Sequence, residues 1–126
     1  MATYLEHTNF TVSDTDATAK WMCDLFGWHI RWSGASLDDG RTIHVGTDTH
    51  YLALYSPGAP NEATDNNYKT IGGLNHIAVV VDDIDKMEVQ VKTAGFTPEK
   101  HADYEPGKRF YFHDHDNIEY EVVAYD

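Results

Sequence analysis

Apolar positions in this chain run through one cycle twice: an alternating stretch, a stretch of helical spacing, then three more short alternating stretches. Alternation at a period of two marks strands with one buried face, and spacing near 3.6 marks an amphipathic helix. The first cycle predicts a strand over 4–12, a helix over 16–26, and strands over 28–32, 41–45 and 51–55. The second predicts a strand over 74–81, a helix over 84–93, and strands over 97–101, 109–113 and 118–124. Aspartates follow the first strand of each cycle, where side-chain oxygens cap free N–H groups and meet the positive end of the helix dipole. Gly27 and Gly95 close the helices.

The two cycles align residue by residue. At an offset of 69, Leu5, His7, Val12, Asp14 and Asp16 meet Leu74, His76, Val81, Asp83 and Asp85. Self-similarity at a fixed spacing is the mark of a duplicated unit. Module one covers about 1–56 and module two about 73–126. A linker at 57–72, rich in Pro, Gly and Asn and without apolar period, joins them. A half of this size buries little core by itself, so the expectation is a single domain over 1–126.

Alternation also sorts the faces. Ile77, Val79 and Val81 share one face with Phe110, Phe112, Ile118, Tyr120 and Val122, as Leu52 and Leu54 do in the first module. The other face carries His76, Arg109, Tyr111, His113, Glu119 and Glu121, with His7, Asn9, Tyr51, Ala53 and Tyr55 as first-module counterparts. A face of His, Glu, Arg and Tyr, where Lys, Thr and Ser are usual for solvent, reads as the lining of a cup.

Charge narrows the partners. The formal net charge is −12, with eight histidines in 126 residues. Such a surface repels nucleic-acid phosphates and anionic membranes, so neither is an expected partner. No run of eighteen apolar residues could span a bilayer, and the first residues lack the basic start and apolar run of a secretion signal; the expected location is cytoplasmic. The single cysteine, Cys23, excludes an internal disulfide and a Cys-based zinc site.

A βαβββ module used twice resembles the vicinal oxygen chelate superfamily, which includes glyoxalase I, extradiol dioxygenases, and fosfomycin- and bleomycin-resistance proteins. The residues carrying the resemblance are Leu-Glu-His-Thr at 5–8, Asp-Leu-Phe-Gly-Trp at 24–28, Gly-Leu-Asn-His-Ile-Ala-Val at 73–79 and Asp-His-Asp-Asn-Ile-Glu-Tyr-Glu at 114–121. The last is similar to the family's Asp-Pro-Asp-Gly turn before its metal-ligand glutamate. Asn117 stands for that Gly and also tolerates a left-handed turn. The resemblance implies an α+β fold: two βαβββ modules forming one curved mixed β-sheet cup, with helices on the outer face.

It further implies metal ligands at His7, His76 and Glu121. Ala53 occupies the fourth position, where glyoxalase I has Glu. Two His and one carboxylate leave coordination positions open for water, oxygen or a chelating substrate. The implied cofactor is one divalent ion: Fe(II), Mn(II), Ni(II) or Zn(II). The implied activity is metal-dependent dioxygenase or lyase/isomerase chemistry on a small oxygen-rich or aromatic molecule. The alternative is a metal-free binding or sequestering protein of the bleomycin-resistance kind. Arg109 and Tyr111, beside Glu121, are the candidate catalytic groups for an oxyanion. Asn9, Tyr55 and His101 are candidate substrate contacts. Family members commonly dimerise, so a homodimer is expected.

Overall fold

The computed structural model describes residues 2–62 and 68–126. The chain divides into two compact units, Met1–Glu62 and Ala63–Asp126, with the boundary inside the predicted linker. Among the described residues, each unit contains one helix and four strands.

In the first unit, strand β1 (His7–Thr11) leads to helix α1 (Thr15–Phe26), then β2 (His29–Ser36), β3 (Gly40–Gly46) and β4 (Tyr51–Ser56). Asp14 caps α1, its Oδ1 accepting the Ala17 N–H at 3.1 Å. Gly27 ends the helix at φ 72, in the left-handed region that a Cβ disfavours. The sheet order is β1-β4-β3-β2, with β1 parallel to β4 and the rest antiparallel. Ala19 and Met22 of α1 are buried, as are Ile43, Val45, Leu52 and Leu54 of the sheet.

The second unit repeats this plan. Strand β5 (Ile77–Val80) leads to α2 (Ile84–Thr93), β6 (Glu99–Tyr104), β7 (Gly107–His113) and β8 (Glu119–Tyr125), in the order β5-β8-β7-β6. Asp83 caps α2, accepting the Lys86 N–H at 3.0 Å. Its core is more aromatic: Phe110, Phe112, Tyr120, Val122 and Val91 are each at most 1% exposed. Strand pairing stays within each unit, so there are two four-stranded mixed sheets, one per βαβββ module. No helix among the described residues is long and apolar enough to cross a membrane.

One turn positions the site strand. Asp114 Oδ1 accepts the N–H groups of Asp116 at 2.9 Å and Ile118 at 3.0 Å, and its Oδ2 accepts the Tyr120 hydroxyl at 3.1 Å. Asn117 sits at φ 61, the left-handed conformation expected of the residue in the Gly position. Burial pushes the Asp114 carboxyl up, against the pull of those hydrogen bonds. The turn delivers β8 with Glu119 and Glu121 on the face away from α2.

Candidate metal centre

Strand register places the two halves of the repeat in correspondence. Asn9 is opposite Ala53 across β1 and β4, and Ala78 is opposite Glu121 across β5 and β8. Asn9 and Ala78 are repeat equivalents, so Ala53 is the first unit's counterpart of Glu121. By the same reasoning His44, opposite Ala53, corresponds to Tyr111, opposite Glu121.

In the second unit these positions carry chemistry. Glu121 is buried, 7% exposed. Its Oε1 lies 3.0 Å from His76 Nε2, and its Oε2 accepts from Arg109 Nη1 at 2.9 Å. His76 Nδ1 meets the side-chain oxygen of Asn75. The imidazole therefore lies between the Asn75 amide on its Nδ1 side and the Glu121 carboxylate on its Nε2 side. Tyr111 stands edge-on to His76, ring centroids 5.7 Å apart. Burial pushes its phenol up, aided by the Glu121 charge, so it remains a hydrogen-bond donor.

Arg109 is largely committed to this carboxylate. Its guanidinium also lies 4.8 Å from the Tyr104 ring centroid, a cation–π contact. Its side chain is 14% exposed.

In the first unit, His7 Nδ1 lies 2.9 Å from Glu6 Oε1, which also accepts the Tyr51 hydroxyl at 3.0 Å. Those two bonds, His7's the stronger influence, hold the Glu6 carboxyl below its usual range. The rings of His7 and Tyr51 stack at 4.9 Å, while tilted contacts join Tyr51 to His44 at 4.7 Å and His44 to Trp32 at 5.2 Å. Burial lowers His44 first of all, and His7 and Arg31 act in the same direction. Asn9 donates to the Ala53 carbonyl at 2.9 Å, and Tyr55 donates to the Leu37 carbonyl at 2.9 Å.

His101 lies elsewhere. Its Nε2 is 2.7 Å from Glu88 Oε1 of α2, and its ring stacks on Phe110 at 5.8 Å. That is the helix side of the sheet, opposite Tyr111 and Glu121. The cause is an irregularity between Glu99 and Ala102, with Lys100 at φ 54. A bulge shifts the alternation and re-aims side chains. Lys100 takes the place expected for His101, its Nζ 3.4 Å from Glu119 Oε1 and 5.7 Å from the Tyr111 ring.

One other contributor escaped the sequence pattern. Tyr68, inside the predicted linker, donates to Glu119 Oε2 at 2.6 Å. That bond, ahead of burial, pushes its phenol up to about 12. His113 joins Glu99 at 2.7 Å and Glu119 at 3.5 Å. Among the described residues, no three His, Cys, Asp or Glu side chains form a ready-made ion cage; His76 and Glu121 are a two-donor pair. Cys23 is half-buried in α1, and burial pushes its thiol up, away from nucleophilic character.

Residues 4–122 match the family model described as Glyoxalase/Bleomycin resistance protein/Dioxygenase superfamily. The chain belongs to this superfamily. None of the curated proteins compared with it matches. Among solved structures, it is similar to a glyoxylase/bleomycin resistance protein/dioxygenase domain from Frankia sp. EAN1pec, at 21% identity, TM-score 0.82 and full coverage of both chains. A glyoxalase family protein from Enterococcus faecalis matches at 17% identity and TM-score 0.78, over 95% of this chain and 96% of that one. The fosfomycin resistance protein FosX from Listeria monocytogenes, complexed with Mn(II) and sulfate ion, matches at 19% identity and TM-score 0.74, over 100% of this chain and 95% of that one. At these identities the likeness is one of superfamily fold, which both sheets display.

Proposed function

We propose that this superfamily member is a metal-dependent enzyme in which His7, His76 and Glu121 hold one divalent ion that chelates a small oxygen-rich or aromatic substrate. The observation that carries this reading is the His76–Glu121 pair: an imidazole Nε2 and a buried carboxylate oxygen 3.0 Å apart, with the other side of each group already bonded. Imidazole with carboxylate suits Fe(II), Mn(II), Ni(II) and Zn(II). The Listeria FosX structure, complexed with Mn(II), supports a divalent ion in this fold. His7, the repeat equivalent of His76, supplies the third donor, from the same chain or from a second copy in a homodimer.

When bound, such an ion supplies Lewis acidity to the chelated substrate oxygens. The chain's own residues do the rest. Arg109 orients Glu121 through a hydrogen bond from Nη1 to Oε2. Tyr111, as a protonated phenol, donates a hydrogen bond to substrate oxygen as negative charge grows there. Lys100 adds positive charge on the same side. Asn9 and Tyr55 belong to the substrate-facing wall of the first unit.

Elemental analysis of untagged protein reconstituted with each of the four ions tests this. About one ion per chain is expected, as a single site requires. His7→Ala, His76→Ala and Glu121→Ala should each abolish retention. Equally little metal in the wild type and all three variants would leave the metal-free, ligand-sequestering alternative standing.

A further inference from the structure

The 69-residue offset pairs two basic residues: Arg31 of β2 meets Lys100 of β6. Each of these strands lies at the end of its sheet, and each breaks register at this step, between Ile30 and Trp32 in β2 and between Glu99 and Ala102 in β6. An extra residue interrupts the alternation of side chains between faces. In both units the basic side chain ends up on the face away from the helix. Arg31 Cζ lies 4.3 Å from the Tyr51 ring centroid, and Lys100 Nζ lies 3.4 Å from Glu119 Oε1. Tyr51 and Glu119 are themselves counterparts, two residues before Ala53 and Glu121. One placement thus meets two partners, a buried carboxylate in the second unit and a phenol ring in the first.

That difference decides where positive charge is left over. Glu119 offsets the Lys100 ammonium, whereas an aromatic ring attracts a cation through its quadrupole and leaves the charge uncancelled. Of the three arginines, Arg41 pairs with Asp16 at 3.1 Å and Arg109 with Glu121 at 2.9 Å. Arg31 donates instead to the Thr47 carbonyl, from Nη1 at 3.4 Å, and among the described residues no ion pair engages it. The Glu6 carboxyl, held down by His7 and then Tyr51, feels the Arg31 charge only at a distance. Tyr51, the ring beneath the guanidinium, stacks on His7 at 4.9 Å, so Arg31 borders the first unit's candidate ligand. A guanidinium is a planar fork of donors that matches the oxygens of a carboxylate or phosphate. In a chain of net charge −12, it offers an anion a place that the surrounding surface does not. We infer that Arg31 is a substrate-binding residue that holds an anionic group of the substrate, a carboxylate or a phosphate, beside the Tyr51 ring. Its part in a reaction rests on the metal-enzyme reading; the anion binding does not.

The experiment titrates metal-free, full-length protein, labelled with nitrogen-15, with benzoate, phenyl phosphate and benzyl alcohol. All three probes carry a ring suited to the row of Trp32, His44 and Tyr51, and only the first two carry an anion. The Arg31 side-chain Nε–H and the Trp32 indole N–H report binding. Both signals should shift saturably with the anions, the tighter of the two identifying the preferred head group, and benzyl alcohol should bind more weakly than either. Arg31→Ala should weaken anion binding about tenfold, the loss of one charge-assisted contact, and leave benzyl alcohol unchanged. Lys108→Ala, which removes the same charge from an exposed position on β7, should bind as wild type does. Arg31 is exposed, so the fold is expected to survive its replacement. Absence of saturable anion binding, equal affinity in wild type and Arg31→Ala, or equal losses in Arg31→Ala and Lys108→Ala overturns the inference. Arg31-dependent anion binding by a protein that takes up no Mn(II) supports it and overturns the metal reading alone. Mn(II) uptake with anion binding that ignores Arg31 does the reverse.

Discussion

The two units of this chain are built alike and finished differently. Both run β-α-β-β-β, both pair the first strand parallel to the last, both start their helix on an aspartate, and both place a histidine at the same step of the repeat. Their faces away from the helix diverge. Where the second unit has Glu121, the first has Ala53; where it has Tyr111, the first has His44. Two residues before these carboxyl positions stand Glu119 in one unit and Tyr51 in the other. The first face is a row of rings in contact, from Trp32 through His44 and Tyr51 to His7. The second is an ionic network around two buried carboxylates. Duplication preserved what the backbone needs, namely caps, register and helix-facing apolar residues. The opposite face carries no such demand and was free to specialise.

The largest expected effect comes from breaking the second face. Glu121→Ala leaves the Arg109 guanidinium without its carboxylate, and removing one partner of a buried pair costs about 3–5 kcal/mol. Chemical denaturation of metal-free protein measures this, and the double variant Glu121→Ala with Arg109→Met should recover much of the loss. The converse change sharpens the contrast. Ala53→Glu puts a carboxylate at a position 3% exposed, with no arginine paired to it, and should cost about 3 kcal/mol in the same assay. A neutral outcome would mean that the first face tolerates charge as the second does.

The features that the units share should respond equally. Asp14→Ala and Asp83→Ala each remove a helix cap and should cost about 1 kcal/mol apiece. The smallest effect is spectroscopic. Tyr68 should titrate at about 12 by ultraviolet absorbance, and Glu119→Gln should bring it back toward 10. Since the folded value lies above the unfolded one, the Tyr68–Glu119 contribution to stability is complete below pH 10 and is lost as pH rises through about 12. Tyr55, bonded to a carbonyl in the first unit, should not respond to that mutation.

Much of the fold was legible because each local signal agreed with the next. The second helix spans the expected residues, Ile84–Thr93. The remaining elements fall within a few residues of expectation, and the Asn117 turn forms as its residue type suggests. Alternation put His76 and Glu121 on one face and the family resemblance named both as ligands; the parallel pairing of β5 and β8 brings them together. What alternation could not reveal was its own interruption. Lysine carries no signal for a positive φ, so the bulge at Lys100 was invisible, and with it the turning of His101 toward Glu88. Tyr68 joins Glu119 across 51 positions from a stretch without apolar period, and no local pattern encodes such a contact. Arg109 was expected to face substrate oxygen. It is on the expected side of the sheet, but Glu121, twelve residues later, claims it first.

The central claim is that the His76–Glu121 pair belongs to a divalent-ion site. Calorimetric titration of metal-free protein with Mn(II) tests it most directly. The account predicts binding of about one ion per chain, abolished by His76→Ala and by Glu121→Ala and retained by His44→Ala on the aromatic face. Absence of Mn(II) binding in the wild type, or equal binding by all three variants, would contradict it.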